Sequence, residues 1–200
     1  MFRRIEAALL AGLLMALAAA PCVSFAGQCG QVRGQVLRLH VLAHSDSAAD
    51  QQNKLAVRDA LLAQSESLFA PAQSLQEAAD AASQSLPLLE QTAREALRAR
   101  GCADPVRAEL VREGFATRSY GAATLPAGNY LALRVVIGEG RGQNWWCVMY
   151  PPLCLPAAAP RDPDPALAGL QEAPAHRVGF AAVELWEQAK NLWRQLQKSA

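Results

Sequence analysis

The chain has 200 residues, of which 52% are hydrophobic and 18% charged, with a formal net charge of +1; this is the composition of a globular protein able to bury a core. Near-neutrality excludes binding driven by a bulk electrostatic field, whether to nucleic-acid phosphates or to an anionic lipid surface. A partner must therefore be held by a specific surface.

The chain starts with basic Arg3 and Arg4, followed by an apolar run from Ala7 to Ala20 broken only by Gly12. That order is the pattern of an export signal. Ser24-Phe25-Ala26 places small residues where a signal peptidase reads, so residues 1–26 are expected to be a signal peptide cut before Gly27 or an uncleaved N-terminal anchor. The run is short for the roughly 30 Å of a bilayer core. Cutting removes Arg3, Arg4 and Glu6 and leaves acidic and basic residues in balance. Cys29, Cys102, Cys147 and Cys154 would then reach a compartment where disulfides are possible.

From Gln35 to Ala43, Leu37, Leu39, Val41 and Ala43 alternate with Val36, Arg38, His40 and Leu42, which predicts a strand with one apolar and one mixed face. Ser45-Asp46-Ser47 follows, and Ser47 with Asp50 resembles a capping box, so a helix is expected from about Ala48. Leu55, Leu62 and Phe69 recur at seven-residue spacing, and Pro71 closes that helix. A second helical segment is expected from about Ser74 to Arg100, notched at Pro87 and ended by Gly101. Beyond Pro105 the pattern becomes strand-like: Val106 to Val111, Phe115 to Tyr120, Tyr130 to Ile137 and Asn144 to Tyr150. The last two are expected to form a hairpin through Gly138-Glu139-Gly140-Arg141-Gly142, with Leu131, Leu133, Val135 and Ile137 inward and Tyr130 and Arg134 on the other side. Residues 155–176 read as a Pro/Ala-rich linker, and residues 177–200 as a helix whose apolar stripe includes Trp186 and Trp193. The fold class is thus α+β: an N-terminal strand, two helical segments, an antiparallel sheet with a Gly-rich hairpin, and a C-terminal amphipathic helix. Residues 27–154 form the globular domain.

Several constellations resemble chemistry without completing it. The glycine run has the composition of a phosphate loop, but a phosphate loop opens a helix, and Trp145, Trp146 and Val148 continue as a strand. His40 and His44 share a strand face and Asp46 follows, yet no C-x-x-C or H-E-x-x-H spacing accompanies them, so neither a metal nor a cofactor is expected. Ser45, Asp46 and His40 lack a G-x-S-x-G elbow, and capping explains the serines better. Cys147 with His40 offers a thiolate pair for an exported hydrolase, against which Cys154 competes as a disulfide partner of Cys147. Such a bridge would restrict the unfolded chain by on the order of 2–3 kcal/mol. Trp145 and Trp146 must point to opposite faces of their strand, so at most one enters a given core and the other is a candidate contact. The candidate partner-binding residues are His40, Asp46, Arg134, Trp145 and Trp146; no catalytic residue is expected.

Three stretches resemble one family. They are Leu37-Arg38-Leu39-His40-Val41-Leu42-Ala43-His44-Ser45-Asp46-Ser47 with Asp50-Gln51 and Lys54 to Ala60; Tyr120-Gly121 with Leu125-Pro126-Ala127-Gly128; and Leu133 to Cys154, which includes Asn144-Trp145-Trp146-Cys147-Val148 and Pro151-Pro152-Leu153-Cys154. They are similar to stage II sporulation protein R over roughly residues 33–154. His44, Ala48, Ala116 and Asn129 stand where that family usually carries asparagine, proline, proline and an acidic residue, so His44 is not read as a metal ligand. The resemblance implies a non-enzymatic signalling protein of endospore formation. It would be exported from the forespore into the space between forespore and mother cell. There it would engage the extracytoplasmic region of a membrane-embedded aspartic protease that matures a sigma factor.

Overall fold

A computed structural model describes residues 27–120 and 123–151, together with Gly12 and Ala189. The expected leader, the 155–176 linker, the C-terminal helix with Trp186 and Trp193, and Cys154 lie outside the described residues. Two compact units divide the chain: residues 33–115 with 129–166, and residues 1–32 with 116–128 and 167–200.

In the first unit, β1 (Leu37–Leu42) is followed by α1 (Ala48–Phe69), α2 (Leu75–Gln84), α3 (Leu86–Arg98), β2 (Val106–Phe115), β5 (Gly128–Ile137) and β6 (Asn144–Tyr150). The intervening β3 (Arg118–Tyr120) and β4 (Ala123–Leu125) belong to the other unit. There they pair antiparallel, with Ser119 opposite Thr124, and their hydroxyls meet at 2.8 Å.

The helices start where short oxygen side chains offer caps. Ser47 accepts the Asp50 amide at 3.1 Å, and Ser74 does the same for Glu77 at 3.2 Å. The reciprocal half of the expected capping box is relayed: the Ser47 amide donates to Ser45 Oγ at 3.1 Å, and Ser45 Oγ donates to Asp50 at 2.5 Å. Those hydroxyls hold the Asp50 carboxyl below its ordinary range. The segment expected as one helix notched at Pro87 is instead two. The chain breaks at Ser85, and Pro87 lies in the first turn of α3, where a missing N–H leaves no helical bond unmade. Gly101 ends the run at φ +74°, and the Cys102 amide closes on Leu97 O.

The sheet order is β2-β5-β1-β6. β1 runs parallel to β5, with Leu39 opposite Leu133, and antiparallel to β6, with Leu39 opposite Cys147. Two expectations are corrected here. The sheet is mixed, and Gly138–Gly142 does not close a hairpin, because β1 lies between β5 and β6. The physical reason is visible in β1 itself. Leu37 to Val41 are all buried, including Arg38 and His40, so the strand needs a neighbour on each edge. Glycine still sets the loop's shape, with Gly138 at φ +56° and Gly140 at +63°.

One sheet face carries the core. Leu37, Leu39, Val41, Leu133, Val135, Ile137, Cys147 and Met149 meet Val57 and Leu61 of α1, Ala78 and Ala82 of α2, and Leu89, Ala93 and Leu97 of α3. The 89, 93, 97 spacing is a single helical stripe. Each fully buried leucine here contributes about 1.5–3 kcal/mol. Tyr130 and Arg134 take the opposite side, as their alternation with Leu133 and Val135 predicts.

Candidate functional site

Signature residues on either side of the 138–143 loop form a clasp. This loop crosses the C-terminal end of β1: the Gly142 amide donates to Ala43 O at 2.9 Å and the Arg141 amide to His44 O at 3.2 Å. The Gln143 amide donates to Asp46 Oδ1 at 2.6 Å, and Lys54 Nζ donates to Gln143 O at 2.9 Å and to Gln51 Oε1 at 2.5 Å. Gln51 Nε2 in turn donates to Ser45 O at 2.9 Å. The glycines are needed for close approach, since a Cβ on Gly138 would meet the His44 ring and one on Gly142 would lie 2.2 Å from Ser45 O. Burial pushes the Lys54 ammonium below its ordinary value. Asp46, expected as a partner contact, is thus a tether of the clasp. His44 faces Asp104 at 3.6 Å.

The face turned away from the three helices carries a different set. β-sheet register places Trp146 of β6, His40 of β1 and Arg134 of β5 in one cross-strand row. Arg134 extends that row to Glu109 of β2 through Nη2 at 2.7 Å and Nε at 3.1 Å. His40 stacks on the Trp146 indole with centroids 3.7 Å apart and planes 14° apart. His40 Nδ1 lies 2.8 Å from Glu113 Oε1, and Glu113 Oε2 lies 3.8 Å from Arg134 Nη1. Phe115 sets its edge against Trp146 at 4.7 Å and against Tyr130 at 5.6 Å. Beneath them the buried Arg38 guanidinium lies 4.2 Å over Phe115 and donates through Nε to Cys147 O at 3.0 Å.

Exposure divides this row. His40 is buried, whereas the side chains of Arg134 and Glu109 are 36% and 39% exposed and Trp146 is half-buried. The buried members orient the outer ones, so a charged pair and an indole edge are presented in fixed geometry.

Of the residues singled out in the sequence, His40, Arg134 and Trp146 come together and Asp46 and Trp145 do not. Trp145 packs against the core side, with the Arg58 guanidinium 4.3 Å over its ring. The two tryptophans do face opposite ways. Missed were Arg38, Glu109, Glu113, Phe115 and Tyr130. The even spacing of Arg107, Glu109 and Glu113, two residues and then four, was the available signal, since it puts three charges on one strand face.

The thiolate pair considered from sequence is taken apart by the register. Cys147 faces the helices opposite Leu39, is fully buried and is disulfide-bonded, whereas His40 faces the other way. The partner sulfur lies outside the described residues; Cys102 is a free thiol.

Residues 33–159 match the family model described as stage II sporulation protein R. Stage II sporulation protein R of Bacillus subtilis (strain 168) is 37% identical over 120 residues, which is 60% of this chain and 54% of that protein. The chain therefore spans about half the length of the curated relative it matches. No solved structure matches.

Proposed function

Because the chain belongs to the stage II sporulation protein R family, we propose that it is a signalling protein of endospore formation that works by contact. It is exported from the forespore and engages the extracytoplasmic region of a membrane-embedded aspartic protease in the mother-cell membrane. The engaged protease then matures a sigma-factor precursor. In this reading the chain breaks no bond itself, and its only membrane contact is through the N-terminal leader or anchor. A bridge from Cys147 to Cys154 would tie the end of β6 to the Pro151-Pro152 bend.

The observation that carries this reading is the row Trp146–His40–Arg134–Glu109, which presents an indole and a charged pair on a sheet face free of the three helices. Activation by contact requires that the protein bind the active form of its target more tightly than the inactive form. Moving an equilibrium from 1:99 to 99:1 takes about 5.5 kcal/mol of such preference. Two or three well-packed tryptophan or arginine contacts at about 2 kcal/mol or more each supply that.

The experiment is a binding measurement between residues 27–200 and the purified extracytoplasmic region of the protease, paired with precursor processing in sporulating cells. Wild-type protein is expected to bind, and Trp146→Ala and Arg134→Ala to weaken binding and processing together. Absence of binding by two folded proteins, or full processing with both variants, overturns the proposal.

A further inference from the structure

β2 is an edge strand of the four-stranded sheet, and its outward side is guarded at one point only among the described residues. Pro105 O accepts from the Gly138 amide, Glu109 meets Arg134, and Gly114 approaches Asn129, so β2 runs antiparallel to β5. The Ala108 amide instead donates to Glu90 Oε1 of α3 at 2.9 Å, so it points away from the sheet. By alternation the amides of Leu110, Arg112 and Gly114 point outward as well. Arg112 and Gly114 are exposed, and Leu110, Val111 and Glu113 are half-buried.

On the preceding reading of a protein that works by contact, we propose that Leu110–Gly114 receives an extended segment of the partner protein as a fifth strand. Only an extended backbone complements a row of outward N–H and C=O groups. A second copy of this chain is disfavoured in the three registers centred on Leu110, Val111 and Arg112. With the twofold axis at Leu110, the paired Ala108 amide is already held by Glu90. With the axis at Val111, Glu109 faces Glu113 of the second copy, and with the axis at Arg112 two arginines meet. Like charges directly opposite are destabilising. The segment that fits carries basic side chains on the side of Glu109 and Glu113 and an acidic one opposite Arg112.

Arg112→Pro tests this, because proline deletes an outward amide and leaves the bonds to β5 in place; Arg112→Ala removes the charge alone. Against the protease's extracytoplasmic region, Arg112→Pro is expected to bind about tenfold more weakly than Arg112→Ala, the effect of one lost charge-free hydrogen bond and its stranded carbonyl. Equal binding by two folded variants overturns the proposal. In wild-type protein, exchange of the Leu110 and Arg112 amides is expected to slow in the complex; binding without that slowing overturns this inference and leaves the contact reading standing. If the protease region does not bind at all, the contact reading fails. The edge is then judged by a synthetic peptide alternating valine with lysine and carrying one aspartate: slowed exchange at Leu110 and Arg112 supports it, and unchanged exchange overturns it. Glu90→Ala frees the Ala108 amide and opens the Leu110 register, in which Arg107 faces Glu113 of the second copy. Self-association beyond that of wild type is expected in sedimentation, and a variant that sediments as wild type does counts against the guarded edge.

Discussion

Replacing Gly142 by alanine tests whether the clasp between the 138–143 loop and the end of β1 holds the sheet together. The new Cβ would lie 2.2 Å from Ser45 O, 2.5 Å from Ser45 C and 3.0 Å from Ala43 Cβ. Both obstacles at Ser45 are backbone atoms, so no side chain can swing aside and the loop must retreat by about 1 Å, well beyond what close-packed interiors absorb freely. Retreat lengthens the Gly142–Ala43, Arg141–His44 and Gln143–Asp46 hydrogen bonds. Three bonds at about 1 kcal/mol each give a loss of about 3 kcal/mol. For a domain of this size the melting midpoint then falls by about 6–12 °C. The assay is urea and thermal unfolding of residues 27–200, with Gly30→Ala as control, since a Cβ there meets nothing within 4 Å in a helical segment. A loss below about 0.5 kcal/mol for Gly142→Ala would refute the reasoning, because it lies within the range of unremarkable surface changes.

Three further outcomes follow from the same structure. Cys147→Ser removes a disulfide and places a hydroxyl in the core, so stability falls by about 2–4 kcal/mol, and a reductant that lowers the wild-type melting midpoint leaves the variant's unchanged. Glu90 has its carboxyl held below the ordinary value of 4.5, first by the Ala108 amide and then by Arg94. A depressed carboxyl contributes stability above its unfolded value and loses it as pH falls through the folded one. Wild-type protein should therefore lose stability over the window below about pH 4.5 more steeply than Glu90→Gln, as read from unfolding midpoints across pH. Lys54→Met strips two hydrogen bonds from the clasp and leaves Gln143 O without its donor, at a cost of about 1–3 kcal/mol by denaturant unfolding.

Local rules were enough where a structure is made by neighbours in sequence. The alternation of Leu37, Leu39 and Val41, the Ser47 cap, the end of the helix at Phe69 and the opposed faces of Trp145 and Trp146 all follow from side-chain period and capping chemistry. The same rules failed where partners are distant. Period two says that β5 and β6 are strands and which faces they show, but not that a strand from the other end of the chain separates them. Glycines that suited a hairpin turn equally suit a loop crossing the end of β1, since both need positive φ and close approach. The site was half visible for the same reason. His40, Arg134 and Trp146 stand out as polar or aromatic residues on strands, whereas Glu109, Glu113 and Phe115 acquire meaning only once β2 is placed beside β5. Asp46 drew notice as a carboxylate beside histidine, and its use as a tether depends on Gln143, which no local pattern links to it.

The central place of β1 also constrains the order of assembly. Its ladder partners, Leu131–Val136 and Asn144–Tyr150, leave the ribosome roughly a hundred residues after it, and contacts of such separation form slowly because the chain closure comes before the gain. A nascent chain of this topology has no finished sheet to retain until its last strand exists. It thus stays pliable for most of its synthesis, which is the condition in which a polypeptide can be threaded through a narrow pore.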